Sequence, residues 1–222
     1  MMKILCDFDG TTAVNDVGNL FFRTFADGRC HEIVQSWKSG AINSKECLLR
    51  ECAISRVTRA QFAAFADSQK MDPHFPGFVD YCKSRGFPVS IASDGLDFYI
   101  QRVLKNHKLD GDVAFYSNHL VFTSEESITA EFPYFESGCG VCGNCKGFHV
   151  QEARKDGSQV VYVGDGLSDR CGALKADIVF AKRGRDLLPF CRENRIQHLE
   201  YDDFGDVLLE IKRLTIHSRA GS

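Results

Sequence analysis

No apolar run in the 222-residue sequence approaches the roughly 20 residues that a membrane-crossing helix needs. The N-terminus reaches Asp7 after the short stretch Ile4-Leu5-Cys6, so neither a signal peptide nor an anchor is expected. Positive charge is not in excess: 27 Lys and Arg against 30 Asp and Glu leave a net charge of -3 and no field to hold a nucleic acid backbone. Internal repeats and low-complexity tracts are absent too. What is present is a 44% hydrophobic share, enough for one sizeable core plus a smaller appended unit. Ten cysteines would mark a disulfide scaffold in a short secreted chain; at this length, without an export signal, reduced thiols or metal ligands are expected. These features place the chain in the cytoplasm, with no nucleic acid or membrane partner. Nothing in them speaks to oligomeric state.

The segment Lys3 to Phe8 reads as a buried strand that stops at Asp-Gly-Thr-Thr and delivers Asp7 to its carboxyl end. From Asn15 to about Lys70 the periodicity is helical, with Leu48, Leu49, Cys52 and Ala53 on one face and Thr58 with Gln61 as a capping box. After Met71-Asp72-Pro73, helix and strand alternate. Pro76 opens a helix that Gly86 closes, a strand runs from Phe87 to Ala92, and a helix covers Leu96 to His107. A strand over Val113 to Tyr116 leads into a polar, aromatic stretch readable as a hairpin. Beyond a cysteine-rich loop come a helix from about Gly147, the strands Val160 to Val163 and Ile178 to Ala181, and a last helix opening near Asp202 or Asp203. This alternation predicts an α/β fold, a Rossmann-like parallel sheet flanked by helices. The helical block is too long for a connection and reads as a cap, giving a core of residues 1–13 and 73–222 and a cap of 14–72.

Three strands end in polar clusters, and in such sheets ligands bind beyond the carboxyl ends of the strands. Asp7 and Asp9 are two apart, so in extended backbone both carboxylates point to one side, where repulsion demands a cation or a shared proton. Asp165 and Asp169 lie among glycines after four apolar residues and form a second acidic cluster. Taken singly, each has an ordinary explanation: solvated turn aspartates, a helix cap at Ser93, a surface lysine at Lys146.

Together they form the ordered series Asp-x-Asp-Gly-Thr, a strand ending in Ser, Lys, then Gly-Asp-Gly-x-x-x-Asp, and in this order the sequence resembles the haloacid dehalogenase superfamily of phosphohydrolases. The resemblance implies that Asp7 attacks phosphorus to give an aspartyl-phosphate and that Asp9 serves as general acid and then general base. It implies Mg2+ held by Asp7, Asp9 through its main-chain carbonyl, and Asp165, with Asp169 behind them or binding weakly. Ser93, the amides of Asp94 and Gly95, and Lys146 would hold the phosphoryl oxygens. An acid at position 9 implies phosphoryl transfer, since a departing halide needs no proton.

A helical insertion after the first motif resembles the branch that contains phosphoserine phosphatase. The run Cys139-x-x-Cys142-x-x-Cys145-Lys146 is similar to the approach to the lysine in two groups. These are the 2-hydroxy-3-keto-5-methylthiopentenyl-1-phosphate phosphatases of methionine salvage and the phosphoethanolamine/phosphocholine phosphatases. The opening Cys6 to Thr11 and the tail from Val179-Phe180-Ala181 to Asp203-Phe204 are similar to the former. The substrate implied is a small phosphate monoester, first the methionine-salvage enol phosphate, then phosphoserine or a phosphorylated amino alcohol. Asp16, nine positions after Asp7, is a candidate substrate contact or equally a helix cap. Phe22, Trp37, Arg50 and Arg56 are candidates for the entrance. Cys139, Cys142, Cys145 and His149 follow C-x2-C-x2-C-x3-H, a pattern that suits structural Zn2+ or else an ordinary reduced loop. Two other activities remain open: a zinc-binding interaction protein on a catalytically idle core, and a phosphomutase passing the phosphoryl group to a second hydroxyl.

Overall fold

The computed structural model describes residues 1–220. Seven strands form one sheet: β1 (Met2–Cys6), β2 (Val89–Leu96), β3 (Ala114–Phe122), β4 (Ile128–Glu131), β5 (Gln159–Gly164), β6 (Ile178–Lys182) and β7 (Leu199–Tyr201). Their order is β4-β3-β2-β1-β5-β6-β7, and all pairings are parallel except that β4 returns antiparallel on β3. Residues of β1 and β5 are buried on both faces, which is why these strands read as unbroken apolar runs. Alternate residues serve opposite layers. Leu5, Ala92, Val160 and Tyr162 pack with Val150, while Ile4, Cys6, Ile91, Val161 and Val163 face the larger core.

The insertion after β1 carries four α-helices: α1 (Val17–Phe25), α2 (Cys30–Lys38), α3 (Ser44–Ala53) and α4 (Arg59–Asp67). The ends of this insertion meet, with Ala13 bridging Met71 and the Val14 N–H donating to the Lys70 carbonyl at 2.9 Å. The remaining helices are α5 (Phe75–Ser84), α6 (Asp97–Asn106), α7 (Lys146–Arg154), α8 (Arg170–Ala173), α9 (Leu187–Glu193) and α10 (Phe204–Ala220). Among the described residues no helix is long and apolar enough to cross a membrane.

The α/β class, the helical insertion, the Thr58–Gln61 capping box and the hairpin of β3 with β4 agree with the sequence pattern. Three details differ. The buried face of α3 is Cys47, Leu48, Glu51 and Cys52, with Ala53 exposed, because the cavity behind the helix admits a polar group. Strand β2 runs on past Ala92 through Ser93-Asp94-Gly95 to Leu96, with a register shift against β3 that re-aims these side chains. Strand β7 is only three residues long at a sheet edge, and α9 is seven residues, both too short for periodicity to register.

An aromatic cluster ties the insertion to the core. Phe62 of α4 stacks on Phe21 of α1 with ring centroids 3.9 Å apart and reaches Phe98 of α6 at 4.8 Å. Both Phe21 and Phe62 are fully buried. Phe62→Ala is expected to cost about 3–5 kcal/mol by lost burial plus the cavity left behind. Denaturant unfolding checks this value.

Candidate active site

Strand β1 ends at Cys6, and the Asp7 N–H donates to the Val163 carbonyl of β5 at 2.8 Å, so Asp7 leaves the sheet from its central pair of strands. The chain then turns sharply, the Ala13 N–H donating to the Phe8 carbonyl at 2.8 Å. Gly10 makes the turn feasible, with φ +76° and the Asp165 carboxylate 2.5 Å from where a Cβ would stand. Thr12 braces the turn by donating its hydroxyl to the Asp7 carbonyl at 2.7 Å.

Lys146, the first residue of α7, is 1% exposed. Its ammonium donates to Asp7 Oδ1 at 2.6 Å, Asp169 Oδ1 at 2.5 Å and the Ser168 hydroxyl at 2.8 Å. Burial pulls its pKa down, but Asp169 and Asp7 outweigh burial and hold it above the ordinary lysine value. Asp169 is fully engaged: Oδ1 also accepts from Tyr162 at 2.6 Å, and Oδ2 accepts the N–H groups of Asp165 and Gly166 at 2.8 and 2.7 Å. Asp169 thereby anchors the ammonium and the turn that carries Asp165.

Negative charge remains in surplus. Carboxylate oxygens of Asp7, Asp165 and Asp169 lie within 4.8 Å of one another. Burial, then Asp169, pushes Asp7 well above the usual carboxylate range and Asp165 up to about 7. Arg185 approaches Asp165 only at 3.9 Å and is half exposed. With Asp169 saturated, Asp7 Oδ2 and the Asp165 carboxylate, which accepts only a long bond from the Thr11 hydroxyl at 3.4 Å, remain for a cation. An all-oxygen donor set of this charge fits a hard divalent ion such as Mg2+.

Asp9 is set apart from this cluster. Its Oδ1 accepts the Gly18 N–H of α1 at 3.0 Å, and its Oδ2 accepts from Tyr99 at 2.9 Å and Ser93 at 3.3 Å. Burial, then Asp16, raises Asp9 to about 7, while the Gly18 and Tyr99 bonds pull the other way. The Ser93 hydroxyl accepts the Gly95 N–H at 3.0 Å. Gly95 is required by close packing, since a Cβ there would meet the Tyr99 oxygen at 1.7 Å. The Asp94 carboxylate is taken up by other partners: it accepts the Asn144 N–H at 2.7 Å and the Ser44 hydroxyl of the insertion at 2.6 Å.

Of these groups Asp7, Asp9, Asp94, Gly95, Tyr99 and Asp165 border a cavity of about 430 Å³ between the strand ends and the insertion, whereas Ser93, Lys146 and Asp169 are buried and do not line it. From the insertion it is lined by Asp16, Phe22, Trp37, Leu48 and Glu51. Asp16 lines the cavity and caps α1 by accepting the Asn19 N–H at 2.9 Å. Arg50 and Arg56 are occupied elsewhere, by Glu46 and by the carbonyls of Ala53 and Ser55. The cysteine expectation needs a correction. Cys139, Cys142 and Cys145 come together with Cys171, not with His149. His149 sits one turn into α7, where its Nε2 bonds the Asn144 side chain at 2.6 Å and its ring stacks on Tyr116.

The model of the family described as Putative Phosphatase matches residues 2–201. The chain belongs to that family. It is a phosphoric monoester hydrolase, and its fold is that of the haloacid dehalogenase-type phosphoserine phosphatases. A 2-hydroxy-3-keto-5-methylthiopentenyl-1-phosphate phosphatase of Exiguobacterium sibiricum is 28% identical over 98% of this chain and 99% of its own. The bifunctional enzyme MtnB/MtnX of Bacillus licheniformis is 31% identical over 92% of this chain and 48% of its own length. Among solved structures, a phospho-aspartyl intermediate analogue of phosphoserine phosphatase superposes with a TM-score of 0.72 at 20% identity, covering 95% of this chain and 99% of that one. That likeness concerns the fold.

Residues that sequence reasoning passed over are Tyr99, Tyr162, Ser168, Asn144 and Cys171. Ser168 stood inside the Gly-Asp-Gly-Leu-Ser-Asp turn, whereas Tyr99 and Tyr162 looked like core aromatics until their hydroxyls were placed. Tyr99→Phe removes a donor to the ionised Asp9 carboxylate, so the Asp9 pKa is expected to rise further above about 7. Carboxyl NMR titration and the pH profile of kcat check the direction; an unchanged or lower value contradicts it.

Proposed function

We propose that this phosphatase hydrolyses a small phosphate monoester through an aspartyl-phosphate on Asp7, with Mg2+ as its metal. The observation that carries the reading is the buried Lys146 ammonium holding Asp7 and Asp169 beside Asp165, with Asp9 kept apart on Tyr99 and Gly18. Asp7 Oδ2 is the attacking atom, its partner oxygen fixed by Lys146. As the P–O bond to the leaving group breaks, Asp9 donates its proton to the departing alkoxide. A group poised at about 7 is then able to take a proton from the water that attacks the aspartyl-phosphate, regenerating Asp7. Mg2+, held by Asp7, the main-chain carbonyl of Asp9 and Asp165, would offset the negative charge of the transferring group. Asp94 and Gly95 line the same cavity, and their amides, with the buried Ser93 hydroxyl that accepts the Gly95 N–H, would bind phosphoryl oxygens. Residues 14–72 act as a cap over a core of 1–13 and 73–222, and leaving-group choice falls to Asp16, Phe22, Trp37 and Leu48. We place the chain in the cytoplasm, where ten free thiols would stay reduced.

For the substrate we infer the enol phosphate 2-hydroxy-3-keto-5-methylthiopentenyl-1-phosphate, because several relatives matched nearly end to end carry that name. Phe22, Trp37, Val34 and Leu48 would suit an apolar methylthio tail. A second reading, a phosphorylated amino alcohol, is favoured by one feature. Glu51 lines the cavity at 7% exposure, and its carboxylate accepts only weak thiol bonds from Cys30 and Cys47 at 3.4 and 3.6 Å. Burial raises it to about 7, a cost that a substrate ammonium would relieve.

Asp7→Asn is expected to retain phosphate-ester binding while magnesium-dependent phosphate release falls to background; wild-type turnover would remove the assigned nucleophile. Glu51→Gln separates the two substrates. On the enol-phosphate reading, kcat/KM for that ester, generated in situ, changes less than about threefold, since a neutral tail makes no charge-assisted bond. On the amino-alcohol reading, kcat/KM for phosphoethanolamine falls about 10- to 100-fold, the range expected for a bond to a charged group.

A further inference from the structure

The segment from 132 to 145, between β4 and α7, carries no helix or strand, yet it leads directly into the lysine on which the site is built. Irregular chain of this length needs something to hold it. Within it lie Cys139, Cys142 and Cys145, and beside them the fold places Cys171 of α8, whose position in the sequence gives no hint of the association. The four sulfur atoms lie within 4.8 Å of one another, and all four cysteines are free thiols.

We propose that Cys139, Cys142, Cys145 and Cys171 bind one structural zinc ion that clamps the start of α7 to α8. At a Zn–S distance of about 2.3 Å a regular tetrahedron has edges of roughly 3.8 Å, so the cluster closes on the ion with only small side-chain shifts. One main-chain group already serves the sulfurs in the manner of a thiolate site: the Cys142 N–H donates to Cys139 Sγ at 3.4 Å, three residues along the chain. Such a bond stabilises sulfur that carries negative charge. Four soft ligands in tetrahedral array select zinc over the hard cation suited to the carboxylates, and a complete set of four leaves no open position for catalysis.

The location assigns the ion a positioning role. Cys145 immediately precedes Lys146, and Cys171 is two residues after Asp169, so the clamp joins the two chain segments that the Lys146–Asp169 ion pair joins from within. The segments are in tight contact there: a Cβ at Gly147 would stand 2.7 Å from the Cys171 carbonyl oxygen. Cys139 is exposed and Cys142 and Cys171 are half-buried, which gives a metal a way in.

The test is metal analysis of the full chain purified without chelator. About one zinc per chain is expected, with the four thiols unreactive until a chelator is added. Chelator-stripped protein, titrated with Co2+, should show sulfur-to-cobalt charge-transfer bands saturating at one equivalent and a higher Tm than the stripped form. Cys171→Ser should lose the zinc while His149→Gln keeps it, and the stripped wild-type titration decides the matter if the serine variant does not fold. Protein that takes up neither zinc nor Co2+, that carries iron at this site, that shows a disulfide in place of the thiols, or whose metal depends on His149 instead of Cys171 would overturn the assignment.

Discussion

A lysine ammonium sealed from water between two carboxylates organises this molecule. Removing Lys146, Asp7 and Asp169 from solvent costs several kcal/mol per ion, and only a complete set of short bonds offsets that cost. The bonds can form because β1 and β5 are neighbours at the centre of the sheet, so that Asp7 and the Asp165–Asp169 turn emerge side by side, while α7 begins where its first side chain points at both. Tyr162 and the amides after β5 take the remaining lone pairs of Asp169. One cation among so many anions leaves a surplus of negative charge, which suits a hard divalent cation.

The two aspartates of the first motif, though only two residues apart, occupy different environments. Asp7 belongs to the lysine and the metal-facing oxygens. Asp9 belongs to Tyr99, Ser93 and the N-terminal turn of the helical insertion through Gly18. On the proposed mechanism one carboxylate is thereby held for attack on phosphorus and the other for proton transfer, the usual way in which environment separates the roles of two acids. The insertion is tied to the same machinery at a second point, where the Ser44 hydroxyl bonds Asp94. The packing of Phe62 and Phe21 therefore bears on the surroundings of Asp9 as well as on stability, since it sets where α1 presents its Gly18 N–H.

The α/β class, the position of the long helical insertion and the order of the acidic, serine and lysine motifs were legible in the chain. Each is a local property: apolar runs of strand length, a 3.6-residue period, turn residues at strand ends. Whatever depended on short or polar elements was not. Strand β7 is too brief to show a period, β2 continues through Ser-Asp-Gly residues that locally favour a turn, and α3 buries Glu51 on a face that a hydrophobic pattern assigns to Ala53.

By itself the sequence determined which residue types stand at the ends of the strands, and hence that acids, a hydroxyl and an ammonium would meet, because strand direction and connection length leave the chain few alternatives. Only the tertiary structure decided their partners. It turned Asp94 toward Ser44 and Asn144, gave Asp9 to Tyr99, and completed the cysteine group with Cys171 in place of His149. The reason is physical: hydrogen bonds and metal-sized clusters are satisfied across space, at 3 to 5 Å, between residues whose separation along the chain carries no signal.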